Sequence, residues 1–369
     1  MNGYKWFSSA TDSDMSLLLA RKSMEDNLSM FFLRTRDHDD NLNGIEIVKL
    51  KNKLGTRQLP TAELILNNSK ARLLSEEGRG VAKISSMLSI TRLHNIINSV
   101  AYQRKITTLA QDYSKKRVAF GQRISQHPLH LRTLSLMEVE ARGNTIFMID
   151  LARQQGLEDT GCITDSDKLL LRLMTPVAKL YTAKKAVALA SEGLEAFGGQ
   201  GYIEDTGIPG ILRDSQVLPI WEGTSNVQAL DVLRALKKTR GEALRSFKNR
   251  VANILQRASK SNDSSVTTAM QAIQVALHGL IDFASQNQSE LAVMEMAGRD
   301  FAFSLAHIYI GSLLIEHALV TGELLDAVTA RQFCISRDLC IVTTQQKSNS
   351  YRLQREAEHI RNMTFEGHD

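Results

Sequence analysis

The segment Trp221-Glu222-Gly223-Thr224-Ser225-Asn226 places a carboxylate in a turn directly before a run of residues with helical spacing. Such a carboxylate can act as a general base when a proton of a bound substrate comes within its reach. Thr224 or Ser225 can cap the following helix, and Ser225 with Gln228 fits a capping box. A helix N-terminus also attracts phosphate groups. Taken alone, the segment is more often an ordinary capped turn.

Three other segments stand out by composition. They are Lys5-Trp6-Phe7-Ser8-Ser9, Arg117-Val118-Ala119-Phe120-Gly121-Gln122-Arg123-Ile124 and Glu195-Ala196-Phe197-Gly198-Gly199-Gln200-Gly201-Tyr202. Taken singly, Trp6 would be a strand aromatic in a core, the arginines solvated charges, and the glycines a helix stop. The glycines do not form a dinucleotide-binding fingerprint, because Glu204 occupies its last position and the run follows a helix.

The composition excludes several classes of protein. The chain has 369 residues, 45 Lys+Arg against 40 Asp+Glu and a net charge of +5, which suits an anionic ligand but does not by itself indicate nucleic acid. Three cysteines exclude a disulfide framework, and we expect Cys334 and Cys340 to be buried thiols. His127 and His130 lack a third ligand nearby, so we predict no metal site. No apolar run approaches the roughly 20 residues of a membrane span.

The pattern of apolar residues divides the chain into three regions. Residues 1–78 contain short apolar runs closed by polar residues, which predict strands. From residue 81 the apolar residues recur at helical spacing, which predicts helices at about 81–114, 126–155, 166–196 and 224–236, interrupted by a glycine-rich loop at 198–210. We expect domains at 1–78, 79–238 and 239–369 and an α+β fold that is mainly α. The first residues resemble the middle of a β-domain, so we expect an N-terminal truncation.

A basic stretch follows the fourth predicted helix. Residues 237–260 carry eight basic residues and one acid, Glu242. Leu244, Phe247, Val251 and Ile254 fall on one helical face, which predicts an amphipathic helix. Its basic side could bind an anion such as nucleic acid, or it could form salt bridges at a subunit interface, which we favour.

Together and in this order, the four segments resemble the acyl-CoA dehydrogenase family of FAD flavoenzymes. The resemblance covers residues 3–236 and looks closest to the AidB-like branch, to which the segments 53–63, 204–209 and the helical extension after residue 240 are similar. It implies the remnant of a β-barrel-like domain, a C-terminal four-helix bundle and an extra helical domain. The family's N-terminal helical domain has no counterpart here.

The resemblance also implies a role for each matching residue. Glu222 matches the catalytic base, Trp6 the tryptophan beside the isoalloxazine ring and Ser8 the hydroxyl that bonds flavin N5. Arg92 matches an arginine near the substrate. The remaining matches are FAD contacts, the first four of them reaching the FAD of a neighbouring subunit: Arg117, Phe120, Gly198, Gly199, Thr224 and Asn226. Glu195 departs from the family, since a carboxylate is unfavourable near phosphates.

The implied reaction is α,β-dehydrogenation of a fatty acyl-CoA thioester. The base takes the α-proton, backbone N–H and ribityl hydroxyl groups polarise the carbonyl, and flavin N5 accepts the hydride. Thr91 stands where some relatives carry the base, which leaves Glu222 as the matching carboxylate. Expected partners are acyl-CoA, further copies of the chain in a dimer of dimers, and an electron-accepting flavoprotein.

Two other functions remain open at this stage. One is a nucleic-acid-associated flavoprotein, suggested by the basic stretch and the AidB-like resemblance. The other is a non-catalytic acyl-CoA binder, suggested by the absent N-terminal domain. The basic pI of 9.0 and the family resemblance favour a mitochondrial location, and a cytoplasmic location is the alternative.

Overall fold

The computed structural model describes residues 1–348 and 363–364. The parts of the predicted C-terminal extension at 349–362 and 365–369 lie outside the described residues. The chain divides into two compact units, Met1–Thr91 and a second from Arg92 onward.

The first unit contains two three-stranded antiparallel sheets. One has the order β1 (Gly3–Ser8), β5 (Ala62–Leu66), β4 (Ile45–Leu50), and the other β2 (Met15–Ala20), β3 (Ser29–Arg34), β6 (Ala71–Leu73). Leu18, Leu33, Ile45 and Leu66 form a small core. These four residues lie on β2, β3, β4 and β5, one from each strand. The predicted β-rich region is therefore confirmed.

Long helices make up most of the rest. The predicted four are α1 (Gly80–Lys116), α2 (Pro128–Asp159), α3 (Asp165–Ala196) and, after a short helix α4 (Ile208–Ser215), α5 (Ser225–Lys238). A two-stranded hairpin, β7 (Val118–Ala119) and β8 (Gln122–Arg123), separates α1 from α2. The extension adds α6 (Glu242–Ala258), α7 (Ser264–Asn287), α8 (Leu291–Thr321), α9 (Leu324–Ile335) and α10 (Ile341–Lys347). The fold class is α+β and mainly α, as predicted.

Helix α8 is the centre of the large helical core. It packs against α7 and α9 and also against α2, α3, α5 and α6, so the extension shares one core with the preceding helices. The close approach of α7 to α8 requires a glycine at position 311, because an added Cβ there would lie 2.5 Å from the Ile273 side chain. Helix α8 also contains an 18-residue window with mean hydropathy 1.4, so it meets the length and composition of a membrane span. The sequence analysis predicted no such run. However, 72% of that window is buried in the protein.

Helix α6 confirms the amphipathic prediction, and two of its basic residues form ion pairs within the chain. Phe247, Val251 and Ile254 are completely buried. On the basic side, the Arg250 guanidinium lies 2.5 Å and that of Arg257 2.7 Å from the Glu316 carboxylate on α8. Part of the basic stretch therefore binds an acid of the same chain.

Candidate active site

Phe120 stands at the tip of the β7–β8 hairpin. Phe120 and Gly121 have φ angles of 52° and 81°, the left-handed pair that a two-residue hairpin turn requires. The ring of Phe120 is 95% exposed. His127 supports the hairpin, because its ring nitrogens lie 3.2 Å from the Ala119 carbonyl oxygen and 3.1 Å from the Gln122 amide nitrogen. An exposed aromatic ring on a braced turn is suited to contact a partner molecule.

The hairpin and the glycine-rich loop border one cavity of about 920 Å³. Arg117, Phe120, Gly198 and Gly199 all line it, so the structure brings together four residues that the sequence places about 80 positions apart. Gly198 has φ 59°, which explains glycine there by backbone conformation. Gly199 does not have a positive φ, and an added Cβ at Gly199 would meet nothing within 4 Å. The fold alone does not require this glycine, whereas the close approach of a ligand would.

Glu192 and Glu195 line the same cavity. Carboxylates oppose phosphate binding, while the Arg117 guanidinium favours it. Burial, aided by the nearby His127, lowers the pKa of His130. The cavity is thus of mixed charge, with an apolar contribution from Phe120 and Phe197.

Glu222 lies in a turn that holds an unusual backbone conformation. Its φ is 57° and that of Gly223 is 96°; a left-handed conformation is costly for a residue with a long side chain. The Gln228 side-chain amide donates to the Glu222 carbonyl oxygen at 2.7 Å. The predicted capping box is therefore wrong: Gln228 binds the turn, and Thr224, the residue before α5, makes no side-chain cap bond. Thr224 and Asn226 are exposed beside it.

A buried lysine completes this turn. Lys179, on α3, is fully buried, and its ammonium donates to the Gly223 carbonyl oxygen at 2.6 Å. Burial lowers the pKa of Lys179 to about 8; the carboxylate of Glu222 opposes this shift and the guanidinium of Arg92 adds to it. The sequence analysis missed Lys179, although a lysine inside the apolar run Val177–Tyr181 was the available signal.

Arg92 is fixed by a carboxylate. Its guanidinium lies 2.7 Å from Asp231 on α5, and Arg172 binds the other oxygen of Asp231 at 2.7 Å. Burial raises the pKa of Asp231, but the two arginines outweigh it, so the net pKa is lowered. The Nε atom of Arg92 is buried with no hydrogen-bond partner among the described residues. The Asp231 carboxylate thus fixes the orientation of the Arg92 side chain, and the place of Arg92 near a substrate stays a prediction.

Trp6 and Ser8 lie on β1, in the first unit. The indole of Trp6 is 58% exposed, which excludes its interpretation as a core aromatic of the described unit. The Lys51 ammonium lies 3.0 Å from the indole ring centroid and 2.6 Å from the Glu63 carboxylate. The pairing of β1 with β5 shifts register between Lys5 and Ser8, the stretch that contains Trp6.

The residues present fit the cofactor that the resemblance implies. Arg117 offers a cation, Phe120 an exposed ring, and Gly199 an open backbone surface in one cavity. Beside Glu222, the Trp221 indole nitrogen and the Gln228 amide oxygen are buried without hydrogen-bond partners among the described residues. These groups do not form a metal site: no cluster of three His, Cys, Asp or Glu occurs in the described part of the chain.

Comparison with known proteins agrees with this geometry. A family model described as "Acyl-CoA dehydrogenase, C-terminal domain" matches residues 78–237, and one described as "Acyl-CoA dehydrogenase 11 C-terminal domain-like" matches residues 242–361. The chain belongs to the acyl-CoA dehydrogenase family. The two matches meet between α5 and α6, where the glycine-containing turn 239–241 joins the helices.

Members of this family from a nematode and a bacterium are similar in sequence. Acyl-CoA dehydrogenase family member 11 of Caenorhabditis elegans is 48% identical over 332 residues, which cover 86% of this chain and 53% of the relative. AidB of Escherichia coli is 35% identical over 239 residues, covering 65% of this chain and 43% of AidB. The predicted AidB-like resemblance is confirmed, and the nematode protein is more similar still. The chain spans about half the length of these curated relatives.

A solved acyl-CoA dehydrogenase has the same fold. The crystal structure of Caenorhabditis elegans ACDH-11 in complex with C11-CoA superimposes with a TM-score of 0.89 at 43% identity, covering 100% of this chain and 63% of that one.

Proposed function

We propose that the chain is the flavin- and substrate-binding part of an FAD-dependent acyl-CoA dehydrogenase, with Glu222 as the base. The Glu222 turn carries the proposal, because a carboxylate is held there in a costly backbone conformation by side chains from two helices. Membership of the acyl-CoA dehydrogenase family and the acyl-CoA complex of the nematode relative support the substrate class.

In this proposal, the residues of the chain bind and orient the thioester. The Glu222 carboxylate takes the α-proton of the acyl chain, and the Glu222 backbone N–H donates to the thioester carbonyl oxygen, which stabilises the negative charge formed as the proton leaves. FAD, when bound, would supply the acceptor for the hydride that leaves Cβ. Trp6 and Ser8 would contact the flavin, and Thr224 and Asn226 would contact its phosphate and adenosine portions.

The four residues around the 920 Å³ cavity would bind the FAD of a neighbouring subunit. Glu222, Thr224 and Asn226 do not line that cavity, so the two groups can serve different cofactors. The chain would therefore work as a homo-oligomer. We propose a dimer of dimers, which would pass electrons to a second flavoprotein.

The test is an absorbance spectrum of the purified protein after FAD is added and the excess is removed. We expect retained flavin bands that bleach under anaerobic conditions when an acyl-CoA is added. A Glu222→Gln variant should retain the flavin but lose turnover by about 10²–10⁴-fold, because the amide cannot accept the proton.

The outcomes separate the alternatives. Flavin that is retained but never bleaches supports a non-catalytic acyl-CoA binder instead. Turnover that survives Glu222→Gln contradicts the assignment of the base.

A further inference from the structure

Lys179 lies in the middle of α3 and is completely excluded from solvent. Its neighbours Val177, Ala178 and Leu180 are buried as well. An ammonium group removed from water is costly unless it is hydrogen-bonded and close to an opposite charge. A lysine at this place therefore needs an explanation beyond helix packing, since an apolar residue would fill the same volume at lower cost.

The hydrogen bonds of Lys179 point to the Glu222 turn. The Lys179 ammonium donates to the carbonyl oxygen of Gly223 at 2.6 Å, and the Gln228 amide donates to that of Glu222 at 2.7 Å. Two successive carbonyl groups thus accept from side chains on two different helices. In a turn with φ values of 57° and 96°, these bonds determine the direction of the backbone and hence of the Glu222 side chain.

Electrostatic interactions also connect Lys179 with Glu222. The carboxylate of Glu222 and the guanidinium of Arg92 both act electrostatically on the Lys179 ammonium. Arg92 itself forms an ion pair with Asp231, on the same helix as Gln228, and shares that carboxylate with Arg172. A buried cation therefore acts on the Glu222 carboxylate from α3, while the guanidinium of Arg92 is bound to another acid.

We propose that Lys179 and Gln228 are positioning residues that clamp the Glu222–Gly223 turn and hold the carboxylate of the base in one orientation. The inference rests on the proposed function of Glu222, but the clamp itself can be measured without turnover.

The experiment uses the whole chain, with FAD present, in three variants. Lys179→Met removes the ammonium, Gln228→Leu removes the second donor, and Lys184→Met replaces an exposed lysine on the same helix as a control. Hydrogen–deuterium exchange of the backbone amides at 219–228 reports the clamp directly. Steady-state kinetics with an acyl-CoA, with kcat expressed per bound flavin and KM measured alongside, report the effect of the clamp on the base.

We expect both clamp variants to increase amide exchange in 219–228 by about tenfold or more, the effect of losing one hydrogen bond. We expect kcat to fall by up to about 100-fold, because misplacing a catalytic group by a small distance has that cost, with KM and flavin content nearly unchanged. Lys184→Met should change none of these quantities.

The inference is overturned if exchange in 219–228 stays at the wild-type rate, or if it rises equally along the whole of α3 while kcat per flavin is unchanged. Gln228→Leu keeps the test valid if Lys179→Met does not fold, since it removes a neutral donor only. Faster local exchange together with turnover that survives Glu222→Gln would support the clamp and reject Glu222 as the base, so the two failures are distinct.

Discussion

At the scale of single residues, Gly199 and Gly201 occupy one short loop for different reasons. An added Cβ at Gly201 would lie 2.1 Å from the Leu194 carbonyl oxygen, a backbone atom that cannot move aside cheaply. The same atom at Gly199 would meet nothing within 4 Å. One glycine is required by the fold of the chain, whereas the other faces the cavity.

This difference predicts opposite results for two alanine variants. Gly201→Ala should destabilise the protein by roughly 1–3 kcal/mol through overpacking. Gly199→Ala should keep the wild-type stability and weaken flavin binding instead. Denaturant unfolding and flavin titration measure the two effects; a Gly199→Ala variant that binds flavin normally would mean that this surface does not meet the cofactor.

Lys179 gives a pH prediction at the same scale. Its pKa is about 8 in the folded state, lowered from 10.5, so between these values the unfolded chain binds the additional proton. Stability from this group therefore rises with pH, by at most about 1.4 kcal/mol per pH unit. The difference in unfolding free energy between wild type and Lys179→Met should shift in favour of wild type from pH 8 to 10. A difference that stays constant over this range contradicts a buried, titrating lysine.

At the scale of elements, a buried ion pair connects the loop after α9 to α2 and α3. The Arg337 guanidinium lies 2.6 Å from the Glu140 carboxylate, which also accepts from the Tyr181 hydroxyl at 2.7 Å. Burial acts to raise the pKa of Glu140, but Arg337, Lys185 and the Tyr181 bond outweigh it and hold the value at about 2. The extension is thus attached to the preceding helices by charge as well as by apolar packing.

Arg337→Met should therefore destabilise the protein by about 3–5 kcal/mol, because it leaves a buried carboxylate without its partner. Arg213→Met is the matched control: its partner Glu204 is exposed, and such pairs contribute about 0–1 kcal/mol. Equal losses in the two variants, measured by denaturant unfolding, would contradict the proposed importance of the buried pair.

Sequence periodicity predicted the long helices of this region and missed a short one. Helices α1, α2, α3 and α5 were found within four residues of their observed ends. Helix α4 was missed, since Gly207, Pro209 and Gly210 resemble breakers, although proline is well tolerated in the first turn of a helix. The capping box was wrong because the spacing of Ser225 and Gln228 does not reveal which backbone group the amide will reach.

At the scale of the whole molecule, the candidate site could not be assembled from spacing alone. Phe120 and Gly199 meet at one cavity only because α2 and α3 return the chain to the same place, and that requires the fold. The family resemblance supplied these residues, and the geometry explains why Gly199 is a glycine. Neither the spacing of residues nor the family resemblance identified Lys179, because its role depends on burial.

Sharing of sites between subunits gives a prediction for the assembled protein. If Arg117, Phe120, Gly198 and Gly199 bind a neighbour's FAD, flavin retention should fall on dilution together with the molecular mass. Light scattering and flavin absorbance along one dilution series measure both. Phe120→Ser should lower retention at every concentration, whereas flavin that remains bound to a monomer would exclude shared sites.

The pairing of Arg250 and Arg257 with Glu316 also affects how this protein will behave as a polyelectrolyte. Eight basic residues between positions 237 and 260 suggest strong binding to a cation exchanger, yet two of them share a carboxylate more than 50 residues away in sequence. Counterion release counts only charges that are free to exchange ions. The slope of retention against salt on a heparin column will therefore report fewer charges than the local sequence contains.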